Sequence, residues 1–135
     1  MHVYDYRILC NRKGFTLIEI IAVLIIISTL AAIAVPKFID LDSNAKDHAI
    51  DSGISELNGR ESLVWADLKV SPTGFLSDAQ VFSIMNYNLG ADYGWSVAPT
   101  NGAGGGGTLL FANTKEIELD RSEATTDSPS QWSRR

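Results

Sequence analysis

Residues 12–42 read RKGFTLIEIIAVLIIISTLAAIAVPKFIDLD. Arg12 and Lys13 close a short basic stretch, and Gly14 separates it from the 21 residues Phe15 to Val35, in which Glu19 is the only charge. As a helix this run is about 31 Å long at about 1.5 Å per residue, close to the ~30 Å of a bilayer's hydrocarbon core. Lys37, Asp40 and Asp42 follow it, and Arg7, Arg12 and Lys13 stand against Asp5 before it. The positive-inside tendency then leaves residues 1–14 in the cytoplasm and carries the remainder to the far side of the membrane.

The rest of the composition narrows the function further. With 135 residues there is room for one domain. The net charge is −5, but it is unevenly spread: after Gly14 there are eight basic and fifteen acidic residues, a net of −7. Such a body repels nucleic-acid backbones, so no nucleic-acid partner is expected. Cys10 is the single cysteine and cannot form an internal disulfide.

Three readings compete for the apolar segment. In a cleaved secretory signal, Arg12 and Lys13 are the basic start and Ala32-Ile33-Ala34 the cleavage site, but the apolar run exceeds the usual ~7–15 residues. An uncleaved single-pass anchor carrying a binding domain accounts for length and orientation. It leaves Glu19 unexplained, although a charge at the centre of a membrane helix costs on the order of 3 kcal/mol. The third reading follows the junction residue by residue. The string Arg12-Lys13-Gly14-Phe15-Thr16-Leu17-Ile18-Glu19 resembles the processing site of type IV prepilins and type II secretion pseudopilins, and the resemblance covers residues 7 to 40 well.

That resemblance implies a membrane-bound prepilin peptidase that cuts between Gly14 and Phe15 and N-methylates Phe15. Because the cut precedes the apolar run, the helix stays in the mature chain. The family's fold is α+β, a pilin-like fold: a long N-terminal helix, its first half transmembrane, packed against a small antiparallel β-sheet head. Its function is structural, a subunit of a type IV pilus or pilus-like filament, with a type II secretion pseudopilin as the alternative within the family. The implied partners are further copies in a helical filament, the peptidase/N-methyltransferase, membrane lipid before assembly, and an inner-membrane assembly platform with its ATPase. The implied location is the bacterial inner membrane, then an extracellular pilus or a periplasmic pseudopilus. The expected divisions are a leader (1–14), a transmembrane and filament-core segment (15–35), and a head (36–135).

The matching residues have chemical reasons to be there. Glycine at position 14 lets an extended backbone enter a narrow protease cleft. Cleavage creates a cationic amine at Phe15, and residues four apart share a helix face, so Glu19 can neutralise its own terminus. The resemblance implies instead that Glu19 pairs with the amine of an incoming copy and sets the axial register, since an unpaired charge in low dielectric penalises wrong registers. Pro36 removes a helix hydrogen bond and is read as a kink rather than a stop. The helical pattern resumes after it: Ile50, Ile54, Leu57, Val64 and Leu68 keep to one face. Asp42/Lys46 and Glu56/Arg60 lie opposite, four apart with the acid first. One helix from about Phe15 to about Leu68 results, locally weakened by Gly53 and Gly59.

Ser71-Pro72-Thr73-Gly74 marks its end. Ser77 and Gln80 form a capping-box pattern for a helix over 78–87, closed by Gly90. Strands are predicted over 94–98, 108–112 and 116–121, the last two as a hairpin around Asn113-Thr114-Lys115. From Ser122 no regular structure is expected, with Trp132 pinning the end to the head. The glycine-rich stretch 102–108 lacks the lysine and hydroxyl pair of a phosphate loop and is read as a hairpin connection. Asp40-Leu41-Asp42-Ser43-Asn44 opens like a calcium loop, with Asp51 at its twelfth place, but Ala45 replaces the required glycine, and a solvated helix face is the better reading. His48 is read as exposed. No nucleophile, base and orienting partner fall together, so no enzyme and no cofactor are expected. Many pilins close the distal loop with a disulfide. A chain cleaved after Gly14 has no cysteine, which leaves packing, filament contacts or a bound calcium ion to hold the carboxy-terminal region. Asp92, Glu116, Asp120 and Asp127 are the oxygen donors available for such an ion.

Overall fold

The computed structural model describes residues 14–102 and 104–135. They fall into two compact units, one ending at Asp40 and the other comprising Leu41–Arg135. Helix α1 (Leu17–Val70) contributes to both.

In the first unit every described residue is exposed, and the helix is long and apolar enough to cross a membrane. Its apolar side chains point in all directions rather than forming a stripe. Leu17, Ile18, Leu24, Ile25, Ile26, Leu30 and Ile33 are all more than half exposed, which is the pattern of a helix meant for an apolar surrounding. The two hydroxyls within it are used locally: Ser28 donates to the Leu24 carbonyl at 2.6 Å and Thr29 to that of Ile26 at 2.9 Å. Pro36 lies inside the helical range and does not end it.

In the second unit α1 lies against a four-stranded antiparallel sheet of β1 (Tyr93–Thr100), β2 (Gly105–Phe111), β3 (Lys115–Arg121) and β4 (Trp132–Arg134), ordered β1-β2-β3-β4. A short helix α2 (Asp78–Ile84) precedes the sheet. This is the α+β, pilin-like arrangement. The predicted stripe faces the core: Ile50, Leu57 and Leu68 are buried, and Ile54 and Val64 pack beside them. Leu109, Leu119, Trp132 and Met85 complete the main cluster, while Val81 and Ala124 join Leu68 in a smaller one. The expected surface pairs form, Lys46 to Asp42 at 2.7 Å and Arg60 to Glu56 at 2.8 Å, and His48 is exposed. Asp42 to Asp51 are helical throughout.

The two helix glycines differ in kind. Gly53 is buried where α1 meets the sheet, and a Cβ there would stand 2.9 Å from Tyr93 Cε1 and 3.3 Å from Leu89 Cδ1. Gly59 faces open space. Gly53→Val is therefore expected to destabilise the head by about 1–3 kcal/mol through overpacking. Gly59→Ala is expected to stabilise it by about 0.5–1 kcal/mol through helix propensity. Trp65, Trp95 and Trp132, all three tryptophans of the chain, lie in this unit, so intrinsic fluorescence during unfolding reads both effects.

Several elements differ from their sequence-based ranges. Helix α2 ends at Ile84, not at 87, and Met85 is already extended. Asparagine side chains compete with the helix here. Asn86 Oδ1 accepts the Asn88 amide and Asn88 Oδ1 the Gly90 amide, both at 2.9 Å. Arg60 Nη1 holds the carbonyls of Asn86 and Asn88, each at 2.9 Å. The capping box also fails: Ser77 makes no side-chain cap, and Gln80 Oε1 accepts the Leu76 amide instead.

The glycine-rich stretch is a hairpin connection only in part. Gly105, Gly106 and Gly107 are strand residues paired with Arg121, Asp120 and Leu119. Sequence propensity misses them because glycine is a poor strand former; here it is needed for close backbone approach. Gly106 sits at φ +151°, and a Cβ on it would overlap the Leu119 carbonyl. Finally, the segment after Ser122 is not irregular to its end. Trp132 is buried and opens β4, so the expectation that it pins the terminus holds, while the fourth strand was not legible.

Candidate functional site

At the amino-terminal end, Gly14, Phe15 and Thr16 lie outside the helix, which begins at Leu17. Phe15 is 81% exposed, and nothing lies within 4 Å of where a Gly14 side chain would start. Thr16 Oγ1 accepts the Glu19 amide at 3.3 Å, and Glu19 Oε2 accepts both the Thr16 amide and its hydroxyl at 3.2 Å. Thr16-Leu17-Ile18-Glu19 is thus a reciprocal capping box. The sequence carries its signature, a threonine with a glutamate three residues on. The carboxylate also sits in the first turn, where the helix dipole favours negative charge. The basic residues Arg7, Arg12 and Lys13 and the cysteine Cys10 lie outside the described residues.

In the head, the stripe of α1 is interrupted at Glu61, which is fully buried together with Arg121. Arg121 Nε donates to Glu61 Oε1 at 2.7 Å and Nη2 to Glu61 Oε2 at 3.1 Å, a two-pronged pair. Its third nitrogen, Nη1, donates to Asp78 Oδ2 at 2.8 Å. Ser130 donates its hydroxyl to Glu61 Oε2 and accepts from Arg121 Nη2 at 3.0 Å, while the Trp132 indole donates to Glu61 Oε1 at 3.0 Å. Asp78 Oδ1 accepts the Ala124 amide at 2.8 Å. One ionic cluster therefore ties α1, the start of α2, β3 and the carboxy-terminal segment.

Around it the same segment is fastened by backbone contacts. Asn58 accepts the Trp132 amide at 2.6 Å and donates to its carbonyl at 3.1 Å, and the Trp65 indole donates to the Thr125 carbonyl at 2.8 Å. Arg134 reaches Asp51 at 2.8 Å. This is how a terminus without a disulfide is held. The calcium donors named from the sequence are not gathered: among the described residues no three His, Cys, Asp or Glu side chains stand together as a metal site, and Asp120 is paired with Arg135 at 3.1 Å. Glu61 and Arg121 escaped the sequence reading. The signal was available, because Glu61 falls four after Leu57 and three before Val64, on the core-facing stripe.

The cluster has a pH signature. Burial pushes the Asp78 carboxyl up, but the hydrogen bonds from Arg121 and from the Ala124 amide outweigh it, and its pKa lies below the ordinary 3.8. A carboxyl with a lowered folded-state pKa stabilises the fold above its ordinary value and loses that contribution as pH falls through the lowered one. The Asp78 contribution to the head's stability is therefore expected to hold from neutral pH down to about pH 4 and to be lost below it. Asp78→Asn should flatten that acid limb, as fluorescence-monitored unfolding against pH will test. Burial and the nearby Glu61 carboxylate also raise the Tyr87 phenol well above the usual tyrosine value, so it stays neutral.

Comparison with known proteins places these features. Residues 9–35 match the model of the prokaryotic N-terminal methylation motif. The chain is 39% identical over 63 residues to the type IV narrow pilus major component PilA5 of Thermus thermophilus, a match covering 47% of this chain and 54% of that one. The chain spans about half the length of the curated relative it matches. No solved structure matches. The motif and the relative support a type IV prepilin-like family for the chain, and the long apolar helix and antiparallel sheet agree with it.

Proposed function

We propose that this chain is the structural subunit of a type IV pilus or pilus-like filament, made as a precursor, cleaved after Gly14 and N-methylated at Phe15. The observation that carries the reading is the methylation motif over residues 9–35 set directly against a helix whose apolar side chains are exposed on every side. Such a surface needs either lipid or other copies of itself around it, and a filament core supplies the second. Residues 1–14 are the cytoplasmic leader, 15–35 the membrane and later filament-core segment, and 36–135 the head. Before assembly the chain waits in the inner membrane. A prepilin peptidase removes the leader, and an assembly platform with its own ATPase extracts the subunit. The likeness to a pilus component favours a pilus over a secretion pseudopilus.

Within this scheme Glu19 accepts the new Phe15 amine of a neighbouring copy and sets the register, and Pro36 supplies a bend at the end of the apolar stretch. Immunogold electron microscopy of sheared cell-surface material, with antibody against the head, tests the proposal. Labelled filaments that disappear from cells lacking prepilin peptidase are the expected result. Label confined to the cell membrane, whether or not the peptidase is present, contradicts it.

A further inference from the structure

We propose that Thr16 is the positioning residue for cleavage: its side-chain cap stops the helix at Leu17 and so keeps the Gly14–Phe15 peptide bond outside it. The inference rests on the reading that the chain is cut after Gly14, and adds to it the residue that makes the bond available. A protease takes its substrate as extended, accessible backbone, and a bond inside a helix must first be unwound. The apolar run gives the helix every reason to grow past its start, since Phe15 and the residues after Leu17 are helix-compatible and lipid favours closed backbone hydrogen bonds. What opposes that growth is the cap. Thr16 Oγ1 occupies the Glu19 amide at 3.3 Å, and the Thr16 carbonyl accepts the Ile20 amide at 3.2 Å as the first bond of the helix. With these in place Gly14 and Phe15 remain outside the helix and exposed.

The cap from Thr16 is made to the backbone of residue 19, so it survives changes to the Glu19 side chain. This separates two roles that share one turn: Thr16 prepares the precursor for cutting, and Glu19 serves the subunit afterwards. Serine caps about as well as threonine, whereas alanine does not cap.

The test is release of the leader from the full-length chain in detergent by membranes containing prepilin peptidase, followed by mass. Wild-type protein that is never cut would refute the underlying reading rather than this inference. Given cleavage of the wild type, Thr16→Ala is expected to be cut about fivefold more slowly, the factor that loss of a typical cap implies, and Thr16→Ser at about the wild-type rate. The alanine variant should also show slower hydrogen exchange at the Ile18 amide, which gains the Gly14 carbonyl as its helical acceptor when the helix extends back over the cleavage site. Adding Leu17→Pro to Thr16→Ala should restore cleavage, because proline at the first helical position forces residue 16 out of the helical region. Wild-type cleavage of Thr16→Ala, or a slow Thr16→Ala variant whose Ile18 amide exchanges as in the wild type, overturns the proposal.

Discussion

Arg121→Ala is expected to be the most damaging single substitution in the head, lowering its stability by about 3–5 kcal/mol. The guanidinium is fully buried and answers two carboxylates, Glu61 and Asp78. Removing it leaves the Glu61 charge buried among Ser130 and Trp132 with no cation, and an uncompensated charge in low dielectric costs more than the pair contributed. For a head of this size the unfolding midpoint should fall by more than about 10 °C, followed by tryptophan fluorescence. The double variant Glu61→Leu with Arg121→Met should be less harmful than Arg121→Ala alone, since the fully buried Glu61 charge goes with its cation. The carboxylate left behind, Asp78, is partly exposed and keeps the Ala124 and Gly102 amides as donors. If the double variant is as unstable as the single one, packing rather than charge pairing holds this region together.

The second large effect is expected at the other end of the chain. On the proposed assembly, Glu19→Ala should be processed and inserted normally, yet yield at least about tenfold fewer filaments, because the Phe15 amine of an incoming subunit would lose the one carboxylate of the apolar segment 15–35. Glu19→Gln separates charge from shape. It can still cap the Thr16 amide but cannot neutralise an amine, and it should assemble as poorly as the alanine variant. Normal filament yield from Glu19→Ala would remove Glu19 from the assembly scheme.

Why the two ends of the molecule differ in legibility follows from their physics. The segment from Gly14 to Val35 is governed by local facts: an apolar run of membrane length, one carboxylate, a glycine at its edge. These are visible residue by residue, and the stripe of Ile50, Leu57 and Leu68 is equally local because helical period alone defines it. The head depends on contacts between residues far apart in sequence. Glu61 and Arg121 look like ordinary surface charges until the fold brings them within 2.7 Å, and Trp132 opens a strand only because β3 offers an edge for it to pair with. The Gly105–Gly107 strand was hidden for the opposite reason: local propensity argued against it, and the close approach of neighbouring strands overruled propensity. The Thr16–Glu19 capping box is local as well, a threonine with a glutamate three residues on, and the same glutamate can serve both as a cap and as a partner for an amine.

The account stands or falls on where the mature chain begins. Intact mass and amino-terminal peptide analysis of the protein made in its native cells gives the answer directly. The prediction is a chain that starts at Phe15 and carries one added methyl group. A chain that still starts at Met1 in cells with a working prepilin peptidase, or one that starts at Val35 after conventional secretion, would contradict it.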